Sequence, residues 1–383
     1  MTTLALRNAT VILPDREAHN ASLIIDGDKI ATVVTGESVK GDKEIDLSHC
    51  VLFPGFIDVH NHGSVGIDVM DASESDLQEV SHYLASQGVT GWVPTLVPSS
   101  DDNYAQVVKM IERAMQDSSK SARVLGIHYE GPFVNTAQCG ALHSNHFKTY
   151  AGPDDLNCLR LPAAGVAMIT LAPEVDGGIA LVSELNSRGW VISIGHTRAD
   201  LERLNKVHEC GARHMTHFMN AMAPLHHRNP GPIGWGLSRD DVTCDIIADG
   251  VHLDPVILKL LMKVKGSRGL SLISDSIAAA GKGDGDYQIW GETIAVRDGR
   301  TSNSAGSIAG SVITMLEAVK MMRSLGASDV EVALMASTNP ARLLRISDRC
   351  GSIEVGKTAD LVAVDAAGSV ALTIVGGEVV YKA

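Results

Sequence analysis

The stretch Asp58-Val-His-Asn-His-Gly63 sets two imidazoles one residue apart at the end of an apolar run. Residues two apart share one side of an extended chain, so His60 and His62 can converge on a point. Neutral imidazole is the commonest metal-ligating side chain. The same placement recurs along the chain: Glu130 follows the apolar start of "GIHYEGPF", and His196 closes "ISIGHT". His217 lies in "HMTHFMNAM", His252 in "ADGVHL" and Asp275 in "LISDS". Any one of these alone reads as a hydrogen-bonded structural residue at a strand end. Taken together, histidines and carboxylates without cysteine suit zinc, iron or manganese at a hydrolytic site. A metal on Glu130, His196 and His217 would leave a position open for water, lower its pKa and polarise a substrate carbonyl. Asp275 is the candidate general base, its plainer reading being the N-cap of a short helix. His128 shares the inward face of Glu130 and reads as packing or support for the ligands.

These side chains need a scaffold that ends many strands in one place. The middle of the chain alternates short apolar runs such as "GWVPTLV", "AMITLAPE", "ARHMTHFMN" and "TCDIIADG" with helical patterns such as "SESDLQEVSHYLASQG" and "DPVILKLLMKVKG". Strand–helix alternation at this length predicts a (β/α)8 TIM-like barrel with its site at the C-terminal strand ends. A doubly wound sheet would gather its polar residues at one switch point instead. Both ends of the chain are β-rich, with a hairpin turn expected at Asp26-Gly27 and another glycine pair at 376–377. The expected organisation is a small β-sandwich built from residues 1–52 and 344–383 around a 53–343 barrel.

Composition sets outer bounds. The 383 residues carry a formal net charge of −13, which argues against nucleic acid or an anionic membrane as partner. Six scattered cysteines without a CxxC pair suit reduced thiols in a cytoplasm. No signal peptide or membrane span is expected.

With those motifs in hand, the chain resembles the amidohydrolase superfamily. Within it, the chain is similar to the enzymes that remove acetate from N-acetyl amino-sugar 6-phosphates. The likeness rests on "PGFIDVHNHG", "HYEGPF", "GHT", "THFMNAM", "ADGVH", Asp275 and "GSIEVGKTADLVAVD", in that order from about residue 20 to the C-terminus. It implies a barrel with a two-ended β-sandwich, a homodimer, and one or two divalent metals, zinc first, with iron, manganese or cobalt as alternatives. Glu130, His196 and His217 match the principal ligands, and His60 with His62 a second metal position. Asp275 matches the catalytic carboxylate. Ala141, Leu142 and His143 match a substrate-contacting segment, with His143 near the sugar and the scissile amide, placed to help the metal stabilise the oxyanion. Asn220 and Ala221 match sugar or phosphate contacts, and Arg228 a phosphate ligand, consistent with bidentate recognition by a guanidinium. Asp249, Gly250, Val251 and His252 match a substrate-facing turn. Ser307, Ile308 and Ala309 match a binding loop in which Ile308 replaces the usual leucine. The implied substrate is N-acetyl-D-glucosamine 6-phosphate. The galacto isomer, another amide substrate and a non-catalytic sugar-phosphate-binding barrel are the rival readings.

Overall fold

The computed structural model describes residues 2–36, 39–116 and 120–383. Eight strands follow one another in chain order around the barrel. They are Phe56–Asn61, Val89–Leu96, Gly126–Glu130, Val166–Leu171, Val191–Ile194, His214–Met215, Thr243–Ile247 and Leu270–Ile273. Each pairs in parallel with its predecessor. The ring closes just beyond the last strand, where Asp275 N–H donates to the His60 carbonyl at 2.9 Å and His62 N–H to that of Ser276 at 2.8 Å. Closure brings the two ends of the strand set within reach of one site.

Local sequence explains the elements. Every residue of Val89–Leu96 is buried, as expected of a barrel strand covered on both faces. The helix Glu74–Ser86 starts at Ser73, which forms a capping box with Asp76, and it buries Leu77, Val80, Ser81 and Leu84 on one face. The helix Pro255–Lys265 starts behind an Asp254 cap with proline in its first turn. The expected strand in "ARHMTHFMN" shortens to His214–Met215. Beyond it His217, Met219 and Ala221 take φ of 28°, 77° and 49°, and left-handed backbone cannot continue a ladder.

The two chain ends build one mixed sheet of eight strands. Val51–Pro54 pairs antiparallel with Leu361–Val364, so this sheet runs up to the residue before Gly55. It closes on a core of its own that includes Leu23, Ile25, Leu52, Leu361 and Ile374. The first hairpin turns at Gly27-Asp28, between Asp26 and Lys29, one residue later than expected. Its tip meets the second hairpin: a Cβ on Gly377, at φ +80°, would stand 2.0 Å from the Gly27 carbonyl oxygen. Only glycine fits there. Strand–helix alternation gives no sign of a further three-stranded antiparallel sheet, Gly285–Ile289, Glu292–Arg297 and Arg300–Ser302, inserted after the last barrel strand. Among the described residues no helix is long and apolar enough to cross a membrane.

Candidate metal centre

Six buried side chains from five strand ends meet at the C-terminal mouth of the barrel. Their possible ligand atoms form two groups, His60 with His62 and Asp275, and Glu130 with His196 and His217. Glu130 stands between the groups. Its Oε1 lies 3.0 Å from Nε2 of both His196 and His217 and 3.5 Å from His60 Nε2. Its Oε2 lies 3.3 Å from His62 Nε2. Asp275 Oδ1 is 3.4 Å from Nε2 of His60 and of His62.

The outer atoms of the rings decide what the inner atoms can do. His196 Nδ1 lies 2.8 Å from the Gln138 carbonyl oxygen, and His62 Nδ1 lies 3.2 Å from that of Thr95. A carbonyl accepts only, so each Nδ1 carries the hydrogen and a neutral ring points its Nε2 lone pair inward. Those lone pairs face carboxylate oxygens and one another; His60 Nε2 and His62 Nε2 are 3.1 Å apart. Such an arrangement is repulsive unless cations lie between the groups. Without an ion, a proton on His62 takes the place of that positive charge. Burial alone would lower His62, yet Asp275 and Glu130 raise it to about 10. Burial lowers His60 to about 4 against the pull of the same carboxylates. Burial would raise Glu130, but the surrounding histidines hold it well below the usual carboxylate range. The residues present fit a divalent metal, by donor type and by the inward orientation of their ring nitrogens.

The backbone pays for this convergence. His196, His217 and Asp275 adopt φ of 48°, 28° and 50°, a region where non-glycine residues store strain and which recurs at functional sites. Neighbours pin each of them: Ser311 N–H donates to the Asp275 carbonyl at 2.7 Å, Asn135 N–H to that of His196 at 3.1 Å and Asn220 N–H to that of His217 at 2.9 Å. Glu174 holds the loops beside His196, accepting from Asn135 Nδ2 at 2.7 Å and Thr197 Oγ1 at 2.5 Å. His128 stacks edge-on against His60 at 4.7 Å and bonds Thr170 Oγ1 at 2.8 Å, outside both groups. Asn61, between the two histidines, faces the other way. Its Nδ2 donates to Asp58 Oδ2 at 3.1 Å and Ser276 Oγ at 2.8 Å. Ser274 and Ser276, which flank Asp275, are thereby tied to the strand that carries His60 and His62.

A cavity of about 370 Å³ opens over the centre. Of the residues expected at substrate, Ala141, Leu142, Asn220, Ala221, His252, Ser307 and Ile308 line it. Asp249 holds His252 in place, accepting from its Nδ1 at 2.6 Å and from the N–H groups of Val251 and His252 at 2.8 Å. Asp249, Gly250 and Val251 themselves stand behind the lining. Ala309 is buried, its N–H on Thr301 Oγ1 at 3.2 Å. His143 lies off the lining, with Nε2 2.7 Å from the Trp290 carbonyl oxygen. Arg228 is exposed on its loop, 2.9 Å from His227 Nε2, and is not brought to the cavity. Sequence reasoning missed Gln138, Glu174 and Trp290. Trp290 lines the cavity and meets the His62 ring edge-on at 5.2 Å. A larger cavity, about 480 Å³, lies at the opposite end of the barrel and touches none of these groups.

Residues 51–380 match the Amidohydrolase family. An N-acetylglucosamine-6-phosphate deacetylase of Bacillus subtilis (strain 168) is 37% identical over 389 residues, which cover 99% of this chain and 97% of that protein. The crystal structure of the Thermotoga maritima N-acetylglucosamine-6-phosphate deacetylase superposes with a TM-score of 0.90 at 34% identity, covering 99% of this chain and all of that one. A mutant of the Mycobacterium smegmatis N-acetyl-D-glucosamine-6-phosphate deacetylase, in complex with N-acetyl-D-glucosamine-6-phosphate, gives a TM-score of 0.91 at 28% identity over the full length of both chains.

Proposed function

The chain belongs to the Amidohydrolase family, and from that premise we propose that it removes acetate from N-acetyl-D-glucosamine 6-phosphate, releasing D-glucosamine 6-phosphate. The observation that carries the reading is the pair of ligand groups sharing Glu130 beneath a cavity that Asn220 and Ala221 also line. Glu130, His196 and His217 would hold one divalent ion, and His60 and His62 a second, with zinc favoured by imidazole and carboxylate donors. Such ions supply Lewis acidity that activates water and polarises an amide carbonyl.

The chain's own groups do the rest. Asp275 Oδ1 takes a proton from the attacking water as the carbon–oxygen bond forms. It returns that proton to the amine nitrogen as the C–N bond breaks. No covalent enzyme intermediate is needed. A neutral His143 with its Nε2–H on the Trp290 carbonyl keeps only Nδ1, an acceptor, for substrate. That suits a sugar hydroxyl better than a developing oxyanion. Arg228 is assigned to the 6-phosphate in a cytoplasmic homodimer, at its own subunit's site or the neighbour's.

The test is acetate release by metal-loaded protein from N-acetyl-D-glucosamine 6-phosphate, beside the unphosphorylated sugar and the galacto isomer. Release from the phosphorylated gluco sugar in preference to both is expected. No release from any of the three by folded, metal-loaded protein would overturn the reading.

A further inference from the structure

The end of the barrel away from the candidate metal centre concentrates positive charge in a chain whose net charge is −13. Arg123, Arg345 and Arg349 line the cavity of about 480 Å³. Arg213, Arg268, Arg342 and again Arg345 line a neighbouring cavity of about 340 Å³. The two cavities therefore adjoin at Arg345, and one third of the chain's eighteen arginines border them. Arg123 is paired with Asp360, and Arg213 with Asp241. Among the described residues, Arg268, Arg342, Arg345 and Arg349 form no ion pair; no carboxylate lines the larger cavity, and Asp241, already paired with Arg213, is the one carboxylate that lines the smaller.

The backbone at Arg345 is the second observation. The helix Asn339–Leu343 ends in a Schellman turn: Ile346 N–H reaches back to the Ala341 carbonyl at 2.9 Å and Arg345 N–H to that of Arg342 at 3.0 Å. Arg345 occupies the left-handed position of that turn at φ 59°, where glycine is the preferred residue. Its guanidinium has one protein partner, the Gly189 carbonyl at 3.2 Å. A long cation is thus held at a strained position on the wall between two cavities, beside Arg268, Arg342 and Arg349, which have no ion-pair partner among the described residues. Guanidinium forks without carboxylates match phosphate oxygens, and cavities of these sizes suit a small metabolite.

We propose that this end of the barrel carries a second binding site, for a small molecule bearing two phosphate groups, one in each cavity with Arg345 between them. The site is remote from the groups assigned to chemistry, so its occupancy does not require the substrate pocket.

The test is calorimetric titration of the metal-loaded full chain with fructose 1,6-bisphosphate as probe. Wild-type protein should give saturable binding that weakens as salt rises. The Arg345→Ala, Arg349→Ala double variant should lose at least about ten-fold in affinity while keeping its deacetylation rate, and Arg228→Ala should bind the probe as wild type does. The Arg268→Ala variant, altered on a different segment, should lose affinity too, and it carries the test if the double variant does not fold. Absence of saturable heat in the wild type, unchanged affinity in the arginine variants, or loss that follows Arg228→Ala would overturn the proposal.

Discussion

Asp275 combines two demands that are rarely met together: a left-handed backbone, φ 50°, and a carboxylate 3.4 Å from two imidazoles. Replacing its oxygen with an amide keeps the shape and removes the proton acceptor. Asp275→Asn should therefore lower kcat by about 10²–10⁴ with little change in KM, measured as acetate release. Glu130 makes a different prediction, because its two oxygens serve both groups. Glu130→Ala should empty both positions, whereas a His60→Ala, His62→Ala double variant should keep the ion held by Glu130, His196 and His217. Metal analysis of the purified proteins distinguishes the two, with content per subunit falling to none in the first and to one ion in the second. These residues were legible in the sequence because each ends an apolar run, and only a barrel makes so many strand ends coincide. The contacts that fix their tautomers were not legible. Gln138 and Thr95 act through carbonyl oxygens, and every residue type has one.

At the scale of elements, the seam between the first and last barrel strands sets the spacing of the two ligand groups. Asn61 bonds Ser276 across it and Asp58 on its own strand, and Ser274 Oγ donates across it to Asp58 Oδ2 at 2.6 Å. Burial lifts Asp58 to about 6 even with those donors in place, so the network carries an acid that is costly to leave unsatisfied. Asn61→Ala should destabilise the fold by about 1–3 kcal/mol, read from urea unfolding, and should reduce metal content in parallel. Unaltered stability would mean that the seam is held by its backbone bonds alone. The inserted three-stranded sheet makes the second element-scale prediction. Its first hairpin places Trp290, at φ 52°, on the rim of the cavity. The backbone carbonyl that His143 uses survives substitution, so Trp290→Ala removes only the indole contact. A loss of about five-fold in kcat/KM is expected, matching an aromatic contact of about 1 kcal/mol, with Trp290→Phe recovering most of it. In the sequence this tryptophan sits in a polar turn, "QIWGET", with nothing to mark it as facing ligand.

At the scale of the molecule, the terminal sheet supports the strand that carries His60 and His62. Val51–Pro54 belongs to that sheet, yet it runs through Gly55 directly into Phe56–Asn61. Gly55 is forced: a Cβ there would lie 2.2 Å from the Thr90 side chain. Its N–H donates to the Asp360 carbonyl at 2.8 Å. Ser337 Oγ donates to the Pro54 carbonyl at 3.0 Å, and Thr373 Oγ1 to that of Ala85 at 2.8 Å. The last strands thus hold the barrel at its entry point as well as completing their own core. That both termini form one sheet was readable from matching β-rich ends; the bonds that fasten it beneath the first barrel strand were not, because each ends on a backbone carbonyl hundreds of residues from its donor. A chain ending at residue 360 should fail as a unit. It would strip Leu361, Leu372 and Ile374 from the smaller core, leave Val51–Pro54 with an unpaired edge, and free the strand that positions two metal ligands. Buried leucine and isoleucine side chains contribute about 1.5–3 kcal/mol each, so losing three approaches the whole stability of an ordinary domain. The truncated chain should collect in the insoluble fraction, and any soluble portion should lack both metal and activity. A monodisperse, metal-loaded truncated protein would show instead that the barrel folds alone and that the sheet is an appendage.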